Sequence, residues 1–174
     1  MLRNSRFLTE GLSIEGGALD AIVYVLLHEA THMADASLGI MFGTGPNNRP
    51  EGSPASSFAD GIWSERLTPA PEHRDALLET IRFRAGGKVL NVSHAQEVYQ
   101  ALSRTPFVSL YASGNWHDDL AEFVAWYHLT QKLKQPYRLE TRKNAKIIYT
   151  YEPMESYLVR GRFNQMSRFY ESEH

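Results

Sequence analysis

One short run concentrates the chemistry of this chain: His28-Glu29-Ala30-Thr31-His32, an H-E-x-x-H pattern. On a helix, residues four apart stand one above the other on one face. Two imidazoles placed this way can grip one Zn²⁺ ion. Glu29 is offset from that pair and is suited to reach a metal-bound water instead of the metal. Zinc draws the pKa of such a water down toward neutrality, and the carboxylate takes its proton. The chain has no cysteine, which removes thiolate ligands, cysteine nucleophiles and a disulfide scaffold together. A third ligand must therefore be His, Asp or Glu.

The stretch from Trp116 to His128, WHDDLAEFVAWYH, is the best source of that ligand. Glu122 sits between Ala121 and Phe123-Val124-Ala125, and a lone carboxylate in apolar surroundings requires a cation. Asp118 and Asp119 lie one turn earlier and are expected to orient His28 or His32 by hydrogen bonding. Asp35 shares the face of the two histidines but lies roughly 10 Å along the axis from His28 at 1.5 Å per residue. It is therefore expected to bond a ligand or cap the helix. His117 keeps a three-histidine site open as an alternative. Tyr111, shortly before the Glu122 stretch, is the candidate donor to the oxyanion formed when water attacks a carbonyl; a half-buried packing aromatic is the alternative. Tyr127 is read as packing and His128 as pointing away. His73, His94 and His174 are read as exposed or terminal, and Trp63, Trp116 and Trp126 as core or pocket wall.

HEATHMAD followed far downstream by DDLAEFVAWYH resembles the gluzincin class of zinc metallopeptidases. The A-E-F-x-A surroundings of Glu122 are similar to the third-ligand helix of the anthrax lethal factor type. The resemblance implies one Zn²⁺ held by His28, His32 and Glu122, with Glu29 as general base. It also implies a zincin-like core and a peptide or protein substrate. The motifs that carry it cover a small part of the chain. Two features depart from the pattern. Only a short stretch precedes the H-E-x-x-H helix, where zincins carry a twisted sheet whose edge strand pairs with the peptide; Gly87 to Val92 or Lys146 to Tyr151 would have to supply the strand. The thermolysin-type N-E-x-x-x-D signature is also missing. Two rival readings stand beside the peptidase: a non-catalytic, zinc-stabilised interaction domain, and a zinc hydrolase acting on non-peptide amides.

These residues need elements to hold them. The pattern predicts a mainly α domain with a small β component (α+β) over residues 1–174, without the usual N-terminal sheet. A long apolar run predicts a buried helix from about Gly17 to Ser37, ending at Gly39. A Gly-, Pro- and Ser-rich loop follows, to about Gly61. Further helices are expected over Pro71 to Arg84, with Ala76, Leu77 and Ile81 inward, from Ser93 with a Ser93/Gln96 capping box, and over Trp116 to Lys134. An extended, loop-like TPFVSLYASGN segment should precede the last of these. A hairpin is expected around Lys143-Asn144, then a helical tail over Glu155 to Tyr170 interrupted by Gly161.

Composition bounds the partners. In 174 residues, 43% hydrophobic, there are 18 basic and 20 acidic side chains, a net charge of −2. That balance argues against nucleic acid, and the basic run from Lys132 to Lys146 is read as a solvated face. No apolar run is long enough to span a bilayer. The opening residues, Met1 to Phe7, show no signal-peptide core, which leaves the compartment open.

Overall fold

The computed structural model describes residues 9–38, 58–81, 83 and 86–170. Its first element, strand β1 (Glu10–Glu15), was not expected from the sequence. The segment is short and flanked by acids, and its strand character emerges only against a partner. That partner is β4 (Arg138–Lys143), antiparallel, in a register that sets Glu10 opposite Lys143 and Glu15 opposite Arg138. Lys143 Nζ lies 3.0 Å from Glu10 Oε1, and Arg138 pairs with Glu15. Strand β4 turns into β5 (Lys146–Tyr151). Asn144 and Ala145 at the turn both adopt positive φ, 51° and 63°, as a two-residue hairpin turn requires. The expected hairpin is present, within a three-stranded sheet ordered β1-β4-β5. Arg142 pairs with Glu140, so acids within the sheet answer much of the expected basic face.

Helix α1 spans Ala21–Leu38, close to the expected limits, but the expectation that it is buried fails. One face, carrying Tyr24, His28, Thr31 and Asp35, packs against the rest of the chain. The other exposes Ile22, Val25, Leu26 and Met33, at 57%, 43%, 61% and 73%. High apolar content all round a helix suggests burial, but it does not specify which neighbours are present to bury it. The following segment, residues 39–57, lies outside the described residues, as does most of the expected loop.

A small ribbon follows: β2 (Trp63–Glu65) against β3 (Thr68–Pro69). The helix expected over Pro71 to Arg84 is replaced by two 3₁₀ turns, Pro71–His73 and Leu78–Thr80. Asp75 explains the break: its Oδ1 accepts the Leu77 and Leu78 N–H groups at 2.9 and 3.4 Å, giving the backbone a local alternative to the helix ladder. Leu78 and Ile81 are buried, whereas Ala76 is exposed. Residues Gly87 to Val92 form no strand, apart from an isolated bridge between Lys88 and Ile81.

Helix α2 runs Ala95–Leu102 behind a 3₁₀ turn, Val92–His94. The cap of that turn is Asn91, whose side chain accepts the Ser93 N–H, and not the Ser93/Gln96 box. The segment TPFVSLYASGN is loop-like, as expected, but it is folded into turns with a 3₁₀ piece at Ala112–Gly114 and is not extended. Helix α3 (Trp116–Tyr127) starts at Asn115, whose side chain accepts the His117 and Asp118 N–H groups. It relaxes into a π turn, His128–Lys132, and ends where Lys134 takes a φ of 57° before Pro136. The tail is helical in short pieces, α4 (Tyr157–Arg160) and α5 (Ser167–Tyr170), broken near Gly161 as expected. The fold is thus mixed α and β with small antiparallel sheets. Among the described residues, no helix is long and apolar enough to cross a membrane.

The core is centred on α3. Phe58, Leu102, Phe107, Val108, Leu120, Phe123, Val159 and Met166 are each at most 2% exposed. Inside it lies an ion pair. Asp119, wholly buried, accepts Arg162 Nη1 and Nη2 at 3.1 and 2.7 Å and Trp63 Nε1 at 2.9 Å. The guanidinium lies between the Phe58 and Phe123 rings and donates to the Pro106 carbonyl. This corrects the expected role of Asp119, which fastens the tail to α3 and orients neither histidine. Asp119→Ala leaves a buried guanidinium unpaired and should lower unfolding stability by about 3–5 kcal/mol in urea titration; a loss below 1 kcal/mol would show that the pair is dispensable.

Candidate metal centre

The site is built where α1 crosses α3. Tyr24, His28, Thr31 and Asp35 recur at helical spacing and face α3. Thr31 returns its hydroxyl to the Leu27 carbonyl at 2.7 Å, so its polar group costs nothing in the buried contact. From the other side α3 presents Asp118 and Glu122, one turn apart.

Glu122 is 2% exposed, and donors surround both its oxygens. Its Oε1 accepts the Tyr24 hydroxyl and lies 3.0 Å from His28 Nδ1. Its Oε2 accepts Ser109 Oγ at 2.6 Å and Trp126 Nε1 at 3.4 Å. A ring of hydroxyl, indole and imidazole donors thus surrounds this buried carboxylate. The hydrogen bond to Glu122 holds the His28 pKa above the ordinary imidazole range, against burial, which pulls it down. Burial first, then the charge of Glu122, pushes the Tyr24 phenol far up, so Tyr24 remains a donor. With a carboxylate at Nδ1, the proton of neutral His28 sits on Nδ1 and the lone pair on Nε2.

That Nε2 faces His32 Nε2 at 3.2 Å. Asp118 Oδ1 lies 3.5 Å from His32 Nε2, and the three ligand atoms all fall within 4.8 Å of one another. A tetrahedral zinc with bonds of about 2.0–2.1 Å separates its ligands by about 3.3–3.4 Å, so the two measured edges fit such an ion. The donor chemistry fits as well: two neutral imidazoles and one carboxylate, with no thiolate. Asn115 Nδ2 donates to Asp118 Oδ2 at 2.5 Å and fixes the carboxylate from behind.

The structure thus sets Glu122 against the His28 ring, where an orienting acid was expected, and Asp118 in the cluster that could hold a metal. Glu122 addresses the far nitrogen of His28, and Asp118 closes the triangle. The sequence carried the signal: Asp118 and Glu122 are four apart on one helix and differ in surroundings. Glu122 has the apolar ones, whereas the Asp118 side chain keeps 16% exposure. Asp35 does not enter the triangle; it holds His117 Nδ1 at 2.9 Å. That bond ties α1 to α3 and commits one nitrogen of His117, the three-histidine alternative. Tyr111 stacks on His28, with centroids 5.6 Å apart at 28°. Partial burial, then the carboxylates of Asp118, Glu122 and Glu29, raises its pKa, so its hydroxyl keeps its proton. Glu29 is on the exposed side of α1 next to His28. Tyr127 packs on Phe163, and His128 turns away to bond Tyr170.

Compared with protein-family models, with curated proteins and with solved structures, the chain matches none of them.

The two acids make different demands. Asp118→Ala should abolish stoichiometric zinc binding in calorimetric titration. Glu122→Gln, which keeps the shape of the donor ring, should still bind zinc, about 10–100-fold more weakly. The reverse order would return Glu122 to the metal.

Proposed function

We propose that this protein is a zinc-dependent hydrolase of peptide bonds, with His28 and His32 holding the ion through Nε2 and Asp118 as third ligand. The reading rests on one observation above others: two Nε2 atoms 3.2 Å apart with a carboxylate oxygen 3.5 Å from one of them. Two lone pairs so close repel unless a proton or a cation lies between them. When bound, zinc lowers the pKa of a coordinated water and polarises a carbonyl.

The protein's own residues supply the rest. Glu29, next to His28 in the H-E-x-x-H run, takes the proton of the attacking water on its carboxylate in this reading and delivers it to the leaving amine nitrogen. Tyr111, protonated and stacked on His28, is the donor for the developing oxyanion. Glu122 holds the His28 ring so that Nε2 keeps its direction. The resemblance of HEATH and DDLAEFVAWYH to the gluzincins favours a peptide over another amide, and the zincin-like core belongs to the same proposal.

The test is turnover of a mixed peptide library by zinc-loaded protein. Wild type should cleave. Glu29→Gln should keep one zinc per chain and lose at least about 100-fold in rate. Zinc held with no peptide cut would favour a non-catalytic metal-stabilised domain, and cleavage of simple amides alone would favour the non-peptide hydrolase.

A further inference from the structure

Ser109 joins α3, through Glu122, to the turn that bears Tyr111. A serine hydroxyl carries one proton to donate and lone pairs to accept with. Here the proton goes to Glu122 Oε2 at 2.6 Å, and a lone pair takes the Ala112 N–H at 2.9 Å. The same oxygen therefore holds the buried carboxylate and closes the turn in which Tyr111 stands. The Ser113 N–H adds a bond to the Ser109 carbonyl at 3.2 Å. Just before Ser109 the chain is fixed in the core: Phe107 and Val108 are at most 1% exposed, and their carbonyls accept the Tyr151 and Tyr137 hydroxyls.

Tyr111 needs such a hold, because it is 45% exposed. The rings packed on it are His28, stacked at 5.6 Å, and Phe83, at 6.3 Å. His28 is itself held through Nδ1 by Glu122 Oε1 at 3.0 Å. The contacts form a closed circuit, from Ser109 to Glu122, on to His28, across to Tyr111, and back through the turn to Ser109. Within it, Ser109 fixes both the carboxylate that holds one ring and the backbone that carries the other.

Neither bond has a ready substitute. The other donor on Oε2, Trp126 Nε1, is at 3.4 Å, beyond the usual N–H···O range. Ala112 is fully buried, so its N–H, deprived of Oγ, carries a desolvation cost until it finds another acceptor. Finding one moves the turn, and Tyr111 with it.

We infer that Ser109 is a positioning residue, which keeps Tyr111 against His28 by locking the Tyr111 turn to Glu122. The inference rests on the peptidase reading for what Tyr111 does there, but the placement is measurable without zinc or turnover.

The experiment is NMR detection of proton contacts between rings in the full, zinc-free chain. Wild type should show a Tyr111–His28 contact and, as internal reference, a contact within the Tyr24–Trp126 stack at 5.0 Å. Ser109→Ala should lose the first and keep the second. Ser109→Thr, which retains the hydroxyl, should keep both. A Tyr111–His28 contact missing from wild type, or undiminished in Ser109→Ala, would overturn the inference. Loss of the Tyr24–Trp126 contact as well would also overturn it, making the serine a general support of the Glu122 ring. Loss of the Tyr111–His28 contact in Ser109→Thr would do the same, assigning the effect to fit. Hydrogen exchange of the Ala112 amide needs no folded variant: in wild type it should be protected, and exchange at the rate of an open loop would contradict the inference.

Turnover gives a second reading. In zinc-loaded protein, Ser109→Ala should lower kcat at least about 10-fold with KM within about 2-fold of wild type. In a Tyr111→Phe background the same change should cost less than about 2-fold; equal losses in both backgrounds would show that Ser109 does not act through Tyr111. Ring contacts that behave as expected in a protein that cuts no peptide would count against the peptidase reading alone.

Discussion

A buried carboxylate between two helices governs this structure. Glu122 is withdrawn from solvent where α1 meets α3, and a charge so placed is costly unless every lone pair is answered. Tyr24 and His28 answer from α1, Ser109 from the turns before α3, and Trp126 from its own helix. The same ring therefore fixes the helix crossing and the tautomer of His28. Tyr24 stacks on Trp126, which lies face to face with Tyr137 at the start of the hairpin, so three aromatic rings link the sheet to the donors around Glu122.

The three acids of α3 show how position on a helix divides labour. Asp119 points into the core and pairs with Arg162, so it serves stability. Asp118, one residue earlier, is rotated by about 100° on a helix of 3.6 residues per turn and faces the histidines. Glu122 is one turn further along the Asp118 face, deeper in the contact. Acids close in sequence but with different neighbours thus sit in an ion pair, in the candidate ligand cluster and in a hydrogen-bond ring.

The sequence made the centre legible because helical spacing is a local property. His28, Glu29 and His32, and the acids from Asp118 to Glu122, could be placed on facing helices from their periodicity. The hairpin at Asn144 was legible for the same reason. What escaped depended on distant partners. β1 exists through its pairing with β4, and the exposed face of α1 reflects which neighbours lie against it. The Pro71 to Ile81 region follows the Asp75 side chain instead of its helical pattern. The donor ring around Glu122 also escaped, because Tyr24, Ser109 and Trp126 reach it from places that its apolar sequence neighbours do not reveal.

The central claim is that the two facing imidazole nitrogens and the Asp118 carboxylate form one metal-binding unit. Zinc K-edge X-ray absorption on the chain loaded with one equivalent of zinc reads that unit directly. The account predicts two imidazole nitrogens at about 2.0–2.1 Å and a carboxylate oxygen at about 2.0–2.2 Å in a four-coordinate shell. A shell with fewer than two imidazoles, or zinc that washes away and leaves only the spectrum of the free ion, would contradict it.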